Sequence, residues 1–210
     1  MFNFFVGVDM ADFRVQSYTV KSKKLKKGTN VTFVLLADLH NKEYCQDNEV
    51  LLQAVKEQKP DGILIAGDML VSDSKQSFLP AQQLVWKLQQ LAPVYYGNGN
   101  HESRLHLRTG VYGDKYERFT WPLREAGVDF LENRSVVFPG ADQKIRIHGY
   151  EMDLKYYGKF KQIPFREADL TDACGVPDFE SFHILLAHNP VYFDHYADWG
   201  ADLTVSGHLH

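Results

Sequence analysis

The sequence predicts a mixed α/β fold built on a largely parallel sheet, and three observations predict it. Val31 to Ala37, Ile63 to Ala66 and Val94 to Tyr96 are short, almost wholly apolar runs, the pattern of strands buried on both faces. Between them, Gln46 to Lys59 carries Val50, Leu51, Ala54 and Val55 at helical spacing, and Ser77 to Leu91 carries Ala81, Leu84, Val85, Leu88 and Leu91. Each strand also ends in polar groups: Asp38 and His40, then Asp68, then Asn100 and His101. Strands joined by right-handed helical crossovers run parallel, so those ends gather along one edge of the sheet.

Taken in order, Phe13 to Val20 reads as an opening strand. Lys21, Lys23, Lys24, Lys26 and Lys27 precede Gly28; a solvated hairpin connection between two strands suits them better than contact with an anionic surface. Pro60-Asp61-Gly62 ends the first helix. Val94-Tyr95-Tyr96 breaks into Gly97-Asn98-Gly99, a turn whose glycines let the backbone approach a ligand, and the turn closes on Asn100-His101-Glu102. Tyr116, Phe119, Leu123 and Ala126 mark a third helix ended by Gly127. Phe130, Val136 to Phe138 and Ile145 to His148 are shorter strands, whereas residues 151 to 181 show no clear period. Phe182 to Ala187 is a further buried strand that delivers His188. Asn189 as N-cap and Pro190 as first helical residue then open a helix to about Asp198. Leu203 to Val205 delivers Ser206-Gly207-His208-Leu209-His210.

Composition narrows the class. The 210 residues suit one domain spanning 1–210, with 44% hydrophobic and 24% charged residues, as in ordinary water-soluble chains. A net charge of -4 gives no general attraction to nucleic acid or anionic membrane. Cys45 and Cys174 are too few for a disulfide framework and fit a reducing compartment. No run is long enough to span a membrane. The apolar start MFNFFVGVDM is interrupted by Asp9 and lacks a basic leader, so it is not read as a signal peptide, and a cytoplasmic location is expected.

Five strand ends thus carry Asp38, His40, Asp68, Asn100, His188, His208 and His210. Imidazole, carboxylate and amide donors without thiolate suit manganese, iron, zinc or nickel better than calcium. Seven donors exceed the needs of one ion and fit two ions that share a carboxylate. His148, His183 and His195 read as structural histidines. Arg104 and His106, just beyond the Asn100 cluster, are candidates to reach substrate. Tyr156, Tyr157 and Lys155 read as loop packing in preference to substrate contacts.

Asp-x-His, Gly-Asp, Gly-Asn-His-Glu, a His after an apolar strand and Gly-His-x-His follow one another in that order. Together they resemble the calcineurin-like metallophosphoesterase superfamily, in particular its bacterial phosphodiesterase-like branch, over residues 31 to 210. The resemblance implies a two-sheet β-sandwich flanked by helices, four layers in all, with a binuclear metal centre at the sheet edge. It implies that Asp38, His40 and His210 hold one divalent transition-metal ion, manganese being favoured. Asn100, His188 and His208 would hold the second, with Asp68 bridging the two. His101 becomes the acid beside the leaving group and Glu102 an outer group that orients the ligands. The implied activity is hydrolysis of a phosphomonoester or phosphodiester in a phosphorylated small molecule by metal-activated hydroxide. The alternatives are a non-catalytic metal-binding scaffold and a pyrophosphatase acting on a nucleotide-linked lipid. Members of the superfamily usually continue past Gly-His-x-His. The resemblance therefore implies a shortened C-terminus, an open sheet edge prone to self-association, and a peripheral membrane location should a longer chain carry an anchor.

Overall fold

Two sheets face each other and each is covered on its outer side by helices. The structure is a computed structural model; it describes residues 13–158 and 163–209, together with the backbone of 2–7. The first sheet contains β1 (Phe2–Gly7), β2 (Phe13–Tyr18), β3 (Phe33–Leu36), β4 (Gly62–Ile65), β5 (Val94–Tyr96) and β6 (Asp129–Phe130), in the order β2-β1-β3-β4-β5-β6. The second contains β7 (Arg134–Val137), β8 (Ile145–Tyr150), β9 (Phe182–Ala187) and β10 (Leu203–Val205), in the order β10-β9-β8-β7. Pairing is parallel except for β2 against β1 and β7 against β8.

Strand alternation builds the layers. In β3, Val34 and Leu36 pack under α1 (Glu49–Glu57) and α2 (Leu79–Gln89), while Phe33 and Leu35 point into the space between the sheets. Ile63 and Ile65 of β4 take the helix side, and Leu64 joins Ile147, Ile184 and Leu186 of the second sheet on the other. α3 (Asn100–Leu107), α4 (Thr109–Tyr112) and α5 (Lys115–Glu125) complete the outer layer of the first half. α6 (Glu167–Cys174) and α7 (Phe193–Trp199) cover the far face of the second sheet, where Tyr150, Leu170, Leu185 and Tyr196 form a third cluster. Leu64 and Ile184 are essentially inaccessible; truncating such a side chain to alanine costs about 2–5 kcal/mol. The predicted α/β class and its two sheets flanked by helices are observed.

Several local expectations are corrected. The apolar start holds a strand, β1, which lies between β2 and β3 and pairs with both. The lysine-rich stretch therefore does not close a hairpin: β2 and β3 are not neighbours, and Lys24 Nζ reaches Asp202 Oδ2 at 2.8 Å, just ahead of β10 in the second sheet. The Asn100-His101-Glu102 segment is the opening of α3 and no turn. The first helix begins late, at Glu49, because Asp47 and Asn48 hold positive φ angles and Gln46–Asn48 forms a separate 3-10 turn. The stretch from 151 to 181 contains a 3-10 turn, Leu154–Tyr157, and α6. Asn189 caps as expected, its side chain accepting from Val191 N at 3.0 Å, though a 3-10 turn precedes α7. Among the described residues, no helix is long and apolar enough to cross a membrane.

Candidate metal centre

The ends of adjacent strands stay zipped beyond the regular pairing. Asp38 N donates to Gly67 O, His40 N to Asp68 O and Asn41 N to Met69 O, at 2.9 to 3.0 Å. Gly207 N donates to His188 O at 3.0 Å on the second sheet. These bonds hold Asp38 and His40 beside Asp68, and His208 beside His188. Asp38, His40, Asp68 and His208 all have φ between 50° and 72°. Left-handed backbone at four non-glycine residues costs about 1–2 kcal/mol each, and strain of this kind concentrates where side chains must converge. Gly67, with φ of 90°, packs against Gly99, and a Cβ at Gly99 would lie 2.2 Å from Asp68 Oδ1. The glycines let the two loops touch.

Donor atoms gather in two groups that share Asp68. His40, Asp68 and His101 form one and Asp68, His188 and His208 the other, with the donor atoms of each group within 4.8 Å of one another. Asp38 lies 3.8 Å from both His40 Nε2 and His188 Nε2, and its carboxylate accepts the backbone N–H of His208 at 2.9 and 3.0 Å. Asn100 stands with one side-chain amide atom 2.9 Å from His208 Nδ1 and the other 2.9 Å from Arg104 Nη1. His210 lies outside the described residues.

Hydrogen bonds fix what the histidines can do. His188 Nδ1 is 2.6 Å from Ala66 O, which can only accept, so Nδ1 carries the proton and Nε2 the lone pair. That Nε2 is buried without a donor and points at Asp68 Oδ2, 3.1 Å away. Two lone-pair atoms at that distance need a positive charge between them. Without a metal a proton takes the place: burial opposes a charged His188, but Asp68 outweighs it and lifts the imidazole to about 9. Burial likewise opposes the Asp68 carboxylate, and His188 outweighs it, bringing Asp68 down to about 2. A divalent ion meets the same need with more charge. Asn100 repeats the pattern. With its oxygen towards His208 Nδ1, two acceptors face each other as ligands of one ion do; with the amide turned over, its nitrogen donates to His208 and its oxygen accepts from Arg104. The donor set thus fits metal ions of the imidazole- and carboxylate-binding class.

His101 differs. Ser72 N donates to its Nδ1 at 2.8 Å. Its Nδ1 therefore carries the lone pair and Nε2 the proton, so Nε2 is a hydrogen-bond donor and no metal ligand in this state, 4.0 Å from Asp68 Oδ2. Burial favours the neutral ring, holding His101 below the usual histidine range. Glu102 is fully buried: Oε2 accepts from Asp68 N at 2.9 Å and Gly99 N at 3.0 Å, Oε1 from Met69 N at 2.9 Å and Tyr96 OH at 2.7 Å. It ties the Asp68 turn to the start of α3, and burial pushes its carboxyl up to about 7.

Arg104 reaches the Asn100 amide, whereas His106 stacks on Tyr116 with ring centroids 4.4 Å apart and stands apart from the donor groups. His148 and His183 are 2.9 Å apart in a buried chain from Ser135 Oγ to Asp178 O, away from the site, and both cysteines are free. Ser72 escaped sequence reasoning, and Tyr157, read from the sequence as loop packing, stands beside the donor groups. Ser72 lies outside every motif. Tyr157, buried, sets its ring edge-on to that of His208 with centroids 5.1 Å apart, because Asn189 Nδ2 donates to Tyr156 O at 3.0 Å and pins the turn there. A cleft of about 940 Å³ opens beside Asp38 and His40, walled by Leu35, Leu51, Met69 and Val205.

The structure thus places two sheets between helical layers and, at their edge, two groups of nitrogen and oxygen donors that share one aspartate. The chain belongs to the calcineurin-like phosphoesterase family, whose pattern matches residues 31–210. It is 29% identical over 204 residues to a Caenorhabditis elegans protein named as a metallophosphoesterase, covering 93% of this chain and 40% of that one. It is 28% identical over 180 residues to the phosphodiesterase YaeI of Escherichia coli, covering 84% and 59%. An uncharacterized metallophosphoesterase of Aquifex aeolicus is 25% identical over 205 residues, covering 94% and 69%. The chain therefore spans 40% and 59% of the length of the first two relatives.

Proposed function

We propose that the chain hydrolyses a phosphoester of a small molecule at a centre of two divalent transition-metal ions, with Asp68 between them. The observation that carries this reading is the convergence of Asp38, His40, His188 and His208 on Asp68, with His101 beside them as a hydrogen-bond donor. On this reading Asp38 and His40, with His210, hold one ion; Asn100, His188 and His208 hold the other. Bound there, the ions would supply a hydroxide near neutral pH and neutralise phosphoryl oxygens.

The chain's own groups complete the chemistry. Ala66 O turns the His188 lone pair towards Asp68, and Asp38 fixes the His208 turn. Glu102 holds the Asp68 and Gly99 backbones at a constant separation. His101 offers Nε2–H to the leaving oxygen and stabilises charge there through a hydrogen bond. The donor types suit manganese, iron, zinc or nickel, with manganese favoured on the family resemblance, and a peripheral Arg104 contact with substrate is compatible with its place beside Asn100. Fold alone does not make a catalyst, but the scaffold alternative has no use for the neutral, donor-bearing His101 held by Ser72.

The test is hydrolysis of bis(p-nitrophenyl) phosphate and p-nitrophenyl phosphate with added Mn²⁺, against Asp68→Asn. The expected result is metal-dependent turnover of one or both esters that Asp68→Asn abolishes, with loss of bound Mn²⁺. No turnover above the Mn²⁺ blank, with Mn²⁺ still bound, would favour the scaffold.

A further inference from the structure

Outside the metal-type donors, one carboxylate oxygen collects contacts from three points of the Gly97–Leu107 region. Glu151 directly follows β8, and its Oε1 accepts from Asn98 Nδ2 at 3.2 Å and from Ser103 Oγ at 3.0 Å. The same oxygen lies 3.8 Å from His106 Nδ1. Asn98 sits in the turn between the two glycines, and Ser103 and His106 lie on α3. Glu151 is itself fixed, because its backbone N–H donates to Asn133 Oδ1 at 2.8 Å. Behind it, Asn98 Nδ2 also donates to Tyr116 OH at 2.7 Å, Tyr116 OH bonds Glu132, and Arg124 Nη2 donates to Glu132 Oε1 at 2.7 Å. The ring of His106 lies flat on that of Tyr116.

The two halves of the metal centre come from different sheets. Asp68, Asn100 and His101 follow strands of the first sheet; His188 and His208 follow strands of the second. Their separation has to be held to a fraction of an ångström for catalysis, and layers in contact only through apolar side chains do not specify it so closely. Glu151 is a polar tie from the end of a second-sheet strand to the turn and helix that deliver Asn100 and His101. Asn98 and Ser103 are buried, so loss of the carboxylate leaves a hydroxyl and an amide hydrogen unpaired and lets the turn shift.

We propose that Glu151 is a positioning residue for the reaction: it registers the Asn98 turn and the first turns of α3, and with them Asn100 and His101, against the second-sheet ligands. This rests on the metal-centre reading above. Outer groups that orient metal ligands typically contribute 10–100-fold to metal affinity or activity.

The experiment compares Glu151→Ala, Glu151→Gln, Ser103→Ala and Asp68→Asn with the unaltered chain. It measures thermal melting, calorimetric Mn²⁺ binding to the metal-free protein, and kcat and KM with bis(p-nitrophenyl) phosphate. Glu151→Ala is expected to lower kcat by about tenfold or more with KM changed by less than about threefold, and to weaken one Mn²⁺ site by about tenfold. Glu151→Gln keeps an acceptor oxygen and is expected to recover most of both. A folded Glu151→Ala protein with unaltered kcat and Mn²⁺ affinity overturns the proposal, as does a lowered melting temperature with nothing else changed. Should Glu151→Ala fail to fold, Ser103→Ala decides: a kcat reduced about threefold at constant KM supports the tie, and an unchanged kcat overturns it. Asp68→Asn separates the two readings. If it binds Mn²⁺ like the unaltered chain, the metal-centre reading fails; if it loses Mn²⁺ while Glu151→Ala changes nothing, only the role of Glu151 fails.

Discussion

The backbone N–H of Ser72 donates to Nδ1 of His101 at 2.8 Å, and the Ser72 hydroxyl lies at the same distance from that nitrogen. A backbone amide can only donate, so the bond selects one tautomer and turns the protonated Nε2 towards Asp68 and the strand ends. His101→Gln is therefore expected to leave Mn²⁺ binding intact and to lower kcat by about 10²-fold, the scale of one lost transition-state donor. The loss should be larger for alkyl than for nitrophenyl esters, because the poorer leaving group carries more charge in the transition state. Equal losses for both would place His101 outside leaving-group stabilisation.

Metal uptake should release a proton. In the metal-free protein Asp68 holds His188 protonated up to about 9, and an imidazole must be neutral to ligate. Below that pH, Mn²⁺ affinity is expected to rise with pH, by up to about tenfold per unit for one displaced proton. Calorimetry in buffers of different ionisation enthalpy measures the proton count directly. A count of zero at pH 7 would show that no protonated His188 is displaced.

Acid should destabilise the fold through the second sheet. Burial, followed by the nearby His183, brings His148 down to about 4 from an ordinary 6.5. Between those values the unfolded chain binds the proton and the folded one does not, so stability rises with pH across that window and is lost as pH falls through it. The effect is on the order of 3 kcal/mol at its fullest. Urea unfolding of the metal-free protein from pH 4 to 7 should show this slope, and His148→Gln should flatten it. An identical slope in the variant would assign acid sensitivity to other groups.

Gly99→Ala should damage the centre without a backbone penalty. Gly99 has an ordinary extended φ of -93°, so its requirement is spatial: the added Cβ would meet Asp68 Oδ1 at 2.2 Å and Asp68 N at 2.5 Å. Either Asp68 moves or the start of α3 does. Expected outcomes are a loss of Mn²⁺ binding of at least tenfold and a stability cost of about 1–3 kcal/mol, as for overpacked interiors. Unchanged Mn²⁺ affinity would mean that Asp68 does not need its present position.

The alternation of apolar strands and helices, the α/β class and the strand ends at which polar residues cluster were legible in the chain itself. Burial on both faces demands continuous apolar runs such as Val34 to Leu36 and Ile63 to Ile65, and a parallel connection demands a helix between them. The strand ends that carry Asp38, His40, Asp68, Asn100, His188 and His208 were therefore readable in the chain, whereas the division of those ends between two sheets was not. Other features depend on partners distant in sequence. The slot of β1 between β2 and β3 follows from pairing, and local pattern did not mark the segment as a strand. α3 starts at Asn100 because Glu102 satisfies backbone donors of the Asp68 loop, 33 and 34 residues away. The tautomer of His101 is decided by Ser72, that of His188 by Ala66 O, and the place of Asn98 by Glu151. Periodicity and motif record where a side chain leaves a strand or helix; which hydrogen bond it makes, and so which atom it offers to a ligand, is set only when the two sheets close on each other.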